Sequence, residues 1–424
     1  MRCLALLLMM VGCPALYAGG FQISLQGVKQ TGMAHTGVAN PLDATALYFN
    51  PGSLSFTRKN SLSLNAVMIL PTVQFKEEGT NNLYRTDAGA KFPFSGYWSW
   101  SPKPNQPGKI GVGVYTPFGS SVDWGNTWAG RYVLTSTKLS TIHIQPTFSY
   151  NIKDRVGIGA GFVYGRGSVE LARSLPVTLA SGRDAEARLS GKAGGYGFNA
   201  GVLVRISKKL DVGVSYKSGI KYKANNGKAR FMVPTALRDS FPDTDISTTL
   251  NTPWLLDMGI TYRPEPRLAI SLDVNYVGWS VYDTVAVDFH QNTSVLQDLY
   301  LPRNFKNAVT IRLGGSYDID GTFTIRAGTY LDLNPVQDGF VSPETPDADR
   351  FAITLGASMR SSDRFELDVS ITYLEGVGRV EQQSENYANL CGTYRGRAFT
   401  IGLALNFNLA KKEKPLTPET PLAP

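Results

Sequence analysis

The stretch Phe365-Glu366-Leu367-Asp368-Val369-Ser370-Ile371-Thr372-Tyr373 alternates apolar and polar residues without a slip. Successive side chains of a β-strand point to opposite faces, so a period of two predicts a strand with one greasy face and one wet face. A helix would scatter the same residues around its circumference. The pattern recurs on both sides of this stretch. Leu268, Ile270, Leu272, Val274 and Tyr276 interleave with Ala269, Ser271, Asp273 and Asn275. Val309, Ile311, Leu313 and Tyr317 interleave with Thr310, Arg312, Gly314 and Ser316. Phe399, Ile401, Leu403, Leu405 and Phe407 do so with Thr400, Gly402, Ala404 and Asn406.

A soluble β-sandwich also alternates, so the breaks between segments decide. Short breaks fall at 153–155, 207–209, 263–267, 318–321 and 361–363. Long ones fall near 76–90, 119–136, 172–189, 225–247, 283–304, 335–349 and 375–394. Short and long take turns, as periplasmic turns and external loops do in an outer-membrane barrel. The count predicts an all-β, transmembrane antiparallel barrel of about 14 strands over residues 55–410, with both ends on the periplasmic side. Aromatic residues near strand ends (Tyr97, Trp98, Trp100, Tyr150, Tyr164, Tyr216, Tyr262, Trp279, Tyr317) are expected to form girdles at the two interfaces.

Composition agrees once alternation is understood. The mean hydropathy of −0.12 would suit a soluble protein, but a barrel strand averages lipid-facing and lumen-facing residues to the same value. The net charge of +8 comes from scattered Lys and Arg rather than a basic patch, so no nucleic-acid partner is implied. Residues 1–18 read as a secretory signal: Arg2, an apolar run from Leu4 to Val11, and Ala18 before Gly19. Lipidation at Cys13 is the alternative. Cleavage after Ala18 leaves Cys391 alone, so no disulfide framework or zinc site is expected. The Gly-, Ala-, Thr- and Asn-rich residues 19–54 lack strand alternation and either hang free or fold back into the lumen. The proline-rich stretch 411–424 reads as a disordered periplasmic tail.

Several short motifs narrow the reading. Gly20-Phe21-Gln22-Ile23 at the mature start, Ala39-Asn40, Asp43-Ala44-Thr45-Ala46 and Asn50-Pro51-Gly52 resemble the N-terminal hatch of the FadL family of long-chain fatty acid transporters. The family turn reads Asn-Pro-Ala; Gly52 departs from it but stays small. Thinner similarity reaches Gly111 to Trp124, Val277 to Val281, Asn304 to Gly315 and Pro346 to Arg350. The resemblance implies a partly helical hatch, including Phe21, Asn50, Pro51 and Gly52, that plugs a 14-stranded barrel. It also implies capture of a fatty acid or other hydrophobic small molecule outside, an apolar pocket above the hatch, and lateral release beside a kinked third strand. It suggests a monomer among outer-membrane lipid and lipopolysaccharide.

The third strand here holds Gly111, Gly113, Thr116, Pro117 and Gly119. Proline cannot donate to a ladder and glycine marks bends, so broken pairing is expected there, unless Pro117 simply ends the strand. For the ligand, burial at roughly 0.8 kcal/mol per methylene supplies on the order of 10 kcal/mol before ordering costs. A single wet cation supplies far less. Apolar lining, with Phe118 as a candidate, should set affinity. By the resemblance Lys306 matches a carboxylate contact, although a solvated strand end reads equally well. A second family Arg falls at Leu171, with Arg166 or Arg173 as nearby substitutes. Asp347, Asp349 and Arg350 are candidates for holding the hatch, or for a plain loop salt bridge. Lumen-facing Arg312, Arg326, Glu366 and Asp368 read as structural charge networks. Of the three histidines, His35, His143 and His290, none has an obvious Ser and acid partner nearby in sequence, and no nucleophile elbow or zinc motif occurs. No enzyme activity and no cofactor are implied. A structural or adhesive surface barrel and a diffusion porin for polar solutes are the alternatives.

Overall fold

The computed structural model describes residues 19–57, 60–87, 89–103, 106–381 and 389–409. The expected signal, 1–18, and tail, 411–424, lie outside them. The strands close into one antiparallel barrel of fourteen. They are β1 (Ser61–Glu77), β2 (Leu83–Arg85 and Phe94–Trp100), β3 (Gly108–Tyr115 and Gly119–Asp123), β4 (Ser136–Ile152), β5 (Val156–Thr178), β6 (Asp184–Arg205) and β7 (Leu210–Lys217 and Lys221–Met232). Then follow β8 (Thr244–Asn251 and Trp254–Glu265), β9 (Leu268–Gly278 and Thr284–Phe289) and β10 (Leu299–Pro302 and Ala308–Asp318). The last four are β11 (Phe323–Asp332), β12 (Arg350–Ser362), β13 (Phe365–Gly376) and β14 (Gly392–Asn408). Closure is direct: β1 pairs with β14 from Ser61↔Asn408 to Glu77↔Gly392. A closed ladder leaves no edge with unpaired backbone, the condition for strands to cross a bilayer.

The alternation sorts the two faces as expected. On β13, Asp368, Ser370 and Thr372 are buried inside while Val369, Ile371 and Tyr373 are exposed outside. Leu64, Phe148, Phe162, Ile260, Leu272, Ile311, Leu355 and Leu403 continue the exposed apolar face around the barrel. A continuous belt of this kind is stable only against lipid.

Three expectations need correction. The breaks near 76–90, 172–189 and 225–247 are not open loops, because the hairpins run on past the belt; β5 still pairs with β6 at Thr178↔Asp184. Beyond the lipid both faces of a hairpin can be wet, so alternation fades while the ladder continues. Tyr97 and Trp279 are wholly buried and face inward, so they belong to no girdle. Finally, four neighbouring strands are broken, β7 and β8 within stretches read as continuous, β9 and β10 because they run on into the expected loop 283–304. β7 is interrupted at 218–220, β8 at 252–253, β9 at 279–283 and β10 at 303–307, one beside the next.

Candidate functional site

Residues 20–57 lie inside the cylinder. They form two single-turn helices, α1 (Val28–Thr31) and α2 (Ala46–Phe49), and a 3-10 turn, Pro51–Phe56. Too short to hold themselves, these turns are fixed by the polar inner faces of the strands. The Asp273 carboxylate on β9 accepts from the Gly37 and Val38 N–H groups at 2.8 and 3.1 Å. Gln145 on β4 donates to the Leu47 carbonyl at 2.8 Å, and Thr354 on β12 accepts from the Ala34 N–H at 2.8 Å. Arg312 on β10 donates to the Ala34 carbonyl and the Ser24 hydroxyl. Lys29 on α1 sits 3.3 Å from Asp43 and 3.2 Å from Glu366 on β13. Of the interior charges read from the sequence, Arg312, Glu366 and Asp368 are therefore docking contacts for this segment, while Arg326 donates to Ser358 on the wall itself.

The Asn50-Pro51-Gly52 turn packs closely against the wall. Asn50 accepts from the Gly52 N–H at 3.0 Å and donates to the Val38 and Val202 carbonyls, both at 2.9 Å. A Cβ on Gly52 would lie 2.5 Å from the Gly201 carbonyl oxygen and 2.6 Å from that of Gly157. The wall presents glycine backbone there, so the turn seats directly on main chain.

At the other end of the segment the third strand breaks. β3 pairs with β2 only from Ser95↔Tyr115 to Trp100↔Ile110. Its β4 side continues past the break, from Gly119↔Ser140 to Asp123↔Ser136. Pro117 is thus internal to the strand, not at its outer end. Across the break the missing β2 partner is replaced by the N-terminal segment. Ile23 donates to the Pro117 carbonyl at 2.8 Å, and Gly119 donates to the Phe21 carbonyl at 3.0 Å. Gln26 donates to the Thr116 carbonyl at 3.0 Å. Gly111 and Gly113 lie further in, under Leu47 of α2, where a Cβ would crowd that side chain at 3.0 and 2.8 Å.

Two spaces flank this bridge. On the lumen side is a chamber bounded by Gln22, Phe118, His143, Lys217, Ile220 and Leu255. On the other is a cleft between β1, β2 and β3, bounded by Leu25, Val67, Pro93, Phe94 and Thr116. An apolar layer adjoins the chamber. Phe21 meets Trp279, Tyr282 and Phe118 edge-on at 4.7, 5.3 and 5.9 Å, and Trp279 meets Phe305 at 5.7 Å. Edge-to-face pairs add to burial, so these rings form a firm apolar layer.

The other candidate residues divide. The Asp347 carboxylate accepts from the Gly20 N–H at 2.6 Å, and Arg350 donates to the Gly20 carbonyl at 3.1 Å while pairing with Asp347 at 2.7 Å. The Asp349 carboxyl instead lies near Arg379 and Lys306, and burial lifts it to about 6. Burial also raises Asp347. Lys306 is exposed beside the start of the inner piece of β10, its N–H donating to the Pro335 carbonyl. Arg173 shares the inward face of β5 with Leu171. Arg166 does not: it stands on the outward, even-numbered face with Phe162 and Tyr164, so its expectation as a lumen ligand is corrected by the pleat.

Sequence reasoning missed Lys217, the cation that borders the chamber; it pairs with Asp257 and lies 5.0 Å from the Tyr48 ring. Its place on the inward face with Asp211 and Ser215 was the available signal. It also missed Trp279 and Tyr282, because the break in β9 hid which way they point.

Comparison with known proteins places this architecture. Over 421 residues, covering 90% of this chain and 95% of the other, it is 26% identical to a long-chain fatty acid transport protein of Salmonella typhi. It is 25% identical over 434 residues to that of Escherichia coli K12. Among solved structures, a Pseudomonas aeruginosa FadL homologue covers 92% of this chain and all of its own, with TM-score 0.80 at 20% identity. The toluene transporter TodX of P. putida covers 93% of this chain and all of its own, with TM-score 0.69 at 16% identity. Residues 9–409 match the family of outer membrane protein transport proteins, OMPP1/FadL/TodX, and the chain belongs to that family.

Proposed function

We propose that the protein mediates passive uptake of long-chain fatty acids or similar hydrophobic compounds across the outer membrane. A compound captured among the external loops enters the apolar layer around Trp279 and Phe305, passes the chamber, and leaves sideways beside the broken third strand. Residues 19–54 act as a hatch that denies water a straight channel. One observation carries this reading: β2–β3 pairing stops at Tyr115, and residues 21–23 are laid across the gap between chamber and cleft. The wall at this point is closed by a few noncovalent bonds rather than a full ladder. An apolar solute leaving there enters lipid without crossing water, which costs nothing in desolvation. The lining cation Lys217 is already held by Asp257, so affinity rests on apolar surface. That supports a class of greasy substrates rather than one head group. Lys306 and Arg173, nearer the outer end, are proposed as early contacts for a carboxylate, with Phe118 against the alkyl chain.

The test is uptake of a labelled long-chain fatty acid by cells with and without the protein. Replacing Pro117 and Gly119 together by valine should restore strand pairing and abolish uptake, while surface abundance stays normal. Unchanged uptake in that variant removes the lateral route.

A further inference from the structure

The outward face of β5, β6 and β7 carries cations that passage of a hydrophobic compound does not use. On β5 the outward residues Ile158, Ala160, Phe162 and Tyr164 end at Arg166. On β6 Val202, Ala200, Phe198 and Tyr196 end at Gly194, then Lys192. On β7 Val214 and Tyr216 are followed, past the break, by Lys221 and Lys223. All four cations are exposed. They begin where the apolar belt stops on the side of the long loops, the level of the outer-leaflet head groups.

The register gathers three of them around one point. Gly194 lies opposite Arg166 on one side and opposite Lys223 on the other. Lys192 stands on the same face of β6, two residues further out. With strands roughly 4.8 Å apart, Arg166 and Lys223 bracket Gly194 across about 10 Å, a gap that two long side chains close onto one tetrahedral anion. Gly194 supplies a floor without a side chain. Nothing in the backbone demands glycine there: its φ is unexceptional, and a Cβ would meet nothing closer than the Tyr164 hydroxyl at 3.5 Å, with the Gly165 carbonyl and the Tyr164 ring at 3.8 Å. The glycine leaves space rather than relieving strain.

Neighbouring cations behave differently. Further out, Lys228 pairs with Asp245, Arg230 with Asp243 and Arg188 with Glu186; on β14, Arg395 is held by Glu375. Among the described residues no carboxylate pairs with Arg166, Lys192, Lys221 or Lys223. Unpaired cations clustered at head-group level call for an anionic lipid.

We propose that Arg166, Lys192 and Lys223 around Gly194 form a cup on the barrel's outer wall that binds a lipid A phosphate of lipopolysaccharide. Arginine grips phosphate through two parallel N–H donors, and Lys192 and Lys223 add charge from the sides. Tyr164 and Tyr196, just below with rings 5.4 Å apart, give the acyl chains an aromatic shelf. Phosphates of neighbouring lipopolysaccharide molecules repel one another and need cations between them. A lipid seated in this cup has its cations built into the protein and resists removal by a chelator.

The experiment uses the full chain in vesicles of phosphatidylcholine containing lipid A bisphosphate or, in a parallel arm, phosphatidylglycerol. After extraction with detergent and EDTA, lipid retained per protein is read by native mass spectrometry. The wild type should keep lipid A and lose phosphatidylglycerol. At roughly fivefold per cation, the triple variant R166Q, K192Q, K223Q should retain lipid A at least tenfold less well. Gly194→Leu keeps every charge but fills the floor, and should also lose it; Arg395→Gln should not. Heat-modifiable mobility confirms that each variant is folded. Equal retention by the triple variant overturns the proposal. So does equal retention of phosphatidylglycerol, or an unaffected Gly194→Leu, since either reduces the effect to general surface attraction. Fatty acid uptake is not the readout, so the result is independent of the transport reading.

Discussion

Ile23 donates its backbone N–H to the carbonyl of Pro117 at 2.8 Å, so the N-terminal segment serves as a local strand partner at the break in the wall. One such bond contributes only about 1 kcal/mol net, too little to hold the segment alone. The ring of Phe21, set among Phe118, Trp279 and Tyr282, is the stronger anchor. Phe21→Ala forfeits roughly 3–5 kcal/mol of packing. Protection of the Ile23 and Gly119 amides against hydrogen exchange should therefore fall roughly 100-fold or more. Unaltered protection would mean that the aromatic anchor does not hold the bridge.

Gly52→Ala restores the residue found in the family turn, yet here it should destabilise. Its Cβ would press on the carbonyl oxygens of Gly201 and Gly157, and backbone on two strands cannot swing aside as a side chain can. Overpacking of this kind costs roughly 1–3 kcal/mol. Thermal unfolding in detergent should shift down by several degrees, and further for Gly52→Val. A variant as stable as the parent would show that the turn sits looser against the wall.

The barrel was legible because lipid outside and polar contacts inside impose a strict period of two, as in Phe365 to Tyr373. The fate of residues 19–54 was not. They have no periodicity of their own, since they fold against Asp273, Gln145, Thr354 and Arg312, which come from strands far away in sequence. The break in β3 was foreshadowed by Pro117 and its neighbouring glycines. Its partner was not, because a bridge between Gln22 and Phe118 leaves no mark in either local pattern. Arg166 shows the converse: alternation from Phe162 and Tyr164 already placed it outside, and the resemblance to a family position obscured that.

The hold of Asp347 and Arg350 on Gly20 should respond to pH through the carboxyls of their loop. Asp349 lies nearby, raised to about 6 by burial, and Asp347 is raised as well. A carboxyl whose folded value lies above its unfolded value favours the folded loop when protonated. That contribution is full below about 4 and disappears as pH climbs through about 6. Hydrogen exchange over residues 333–349 should accordingly be slower, after correction for intrinsic rates, at pH 5 than at pH 7.5. Asp349→Asn should flatten most of the difference. A dependence of opposite sign would show that Arg379 and Lys306, not burial, govern this carboxyl.

Lys29 offers the sharpest test of how the N-terminal segment is held. Its ammonium is buried, 3.3 Å from Asp43 within the segment and 3.2 Å from Glu366 on the barrel wall, with Asp368 at 4.0 Å. Taking those charges out of water is costly, and their mutual attraction offsets the cost only while every partner is present. Lys29→Met removes the cation and leaves acids facing one another without compensation, a loss of roughly 3–5 kcal/mol. The segment can escape that repulsion by undocking from β13. Undocking opens water's path along the wall, so single channels in planar bilayers should show frequent openings absent from the parent. Adding Glu366→Gln to Lys29→Met relieves the repulsion and should suppress the openings. Deleting 19–54 should give the largest conductance of all. Should Lys29→Met stay silent while the deletion conducts, the segment is held chiefly by Asp273 on β9 and Arg312 on β10, and the Lys29 cluster is not its latch.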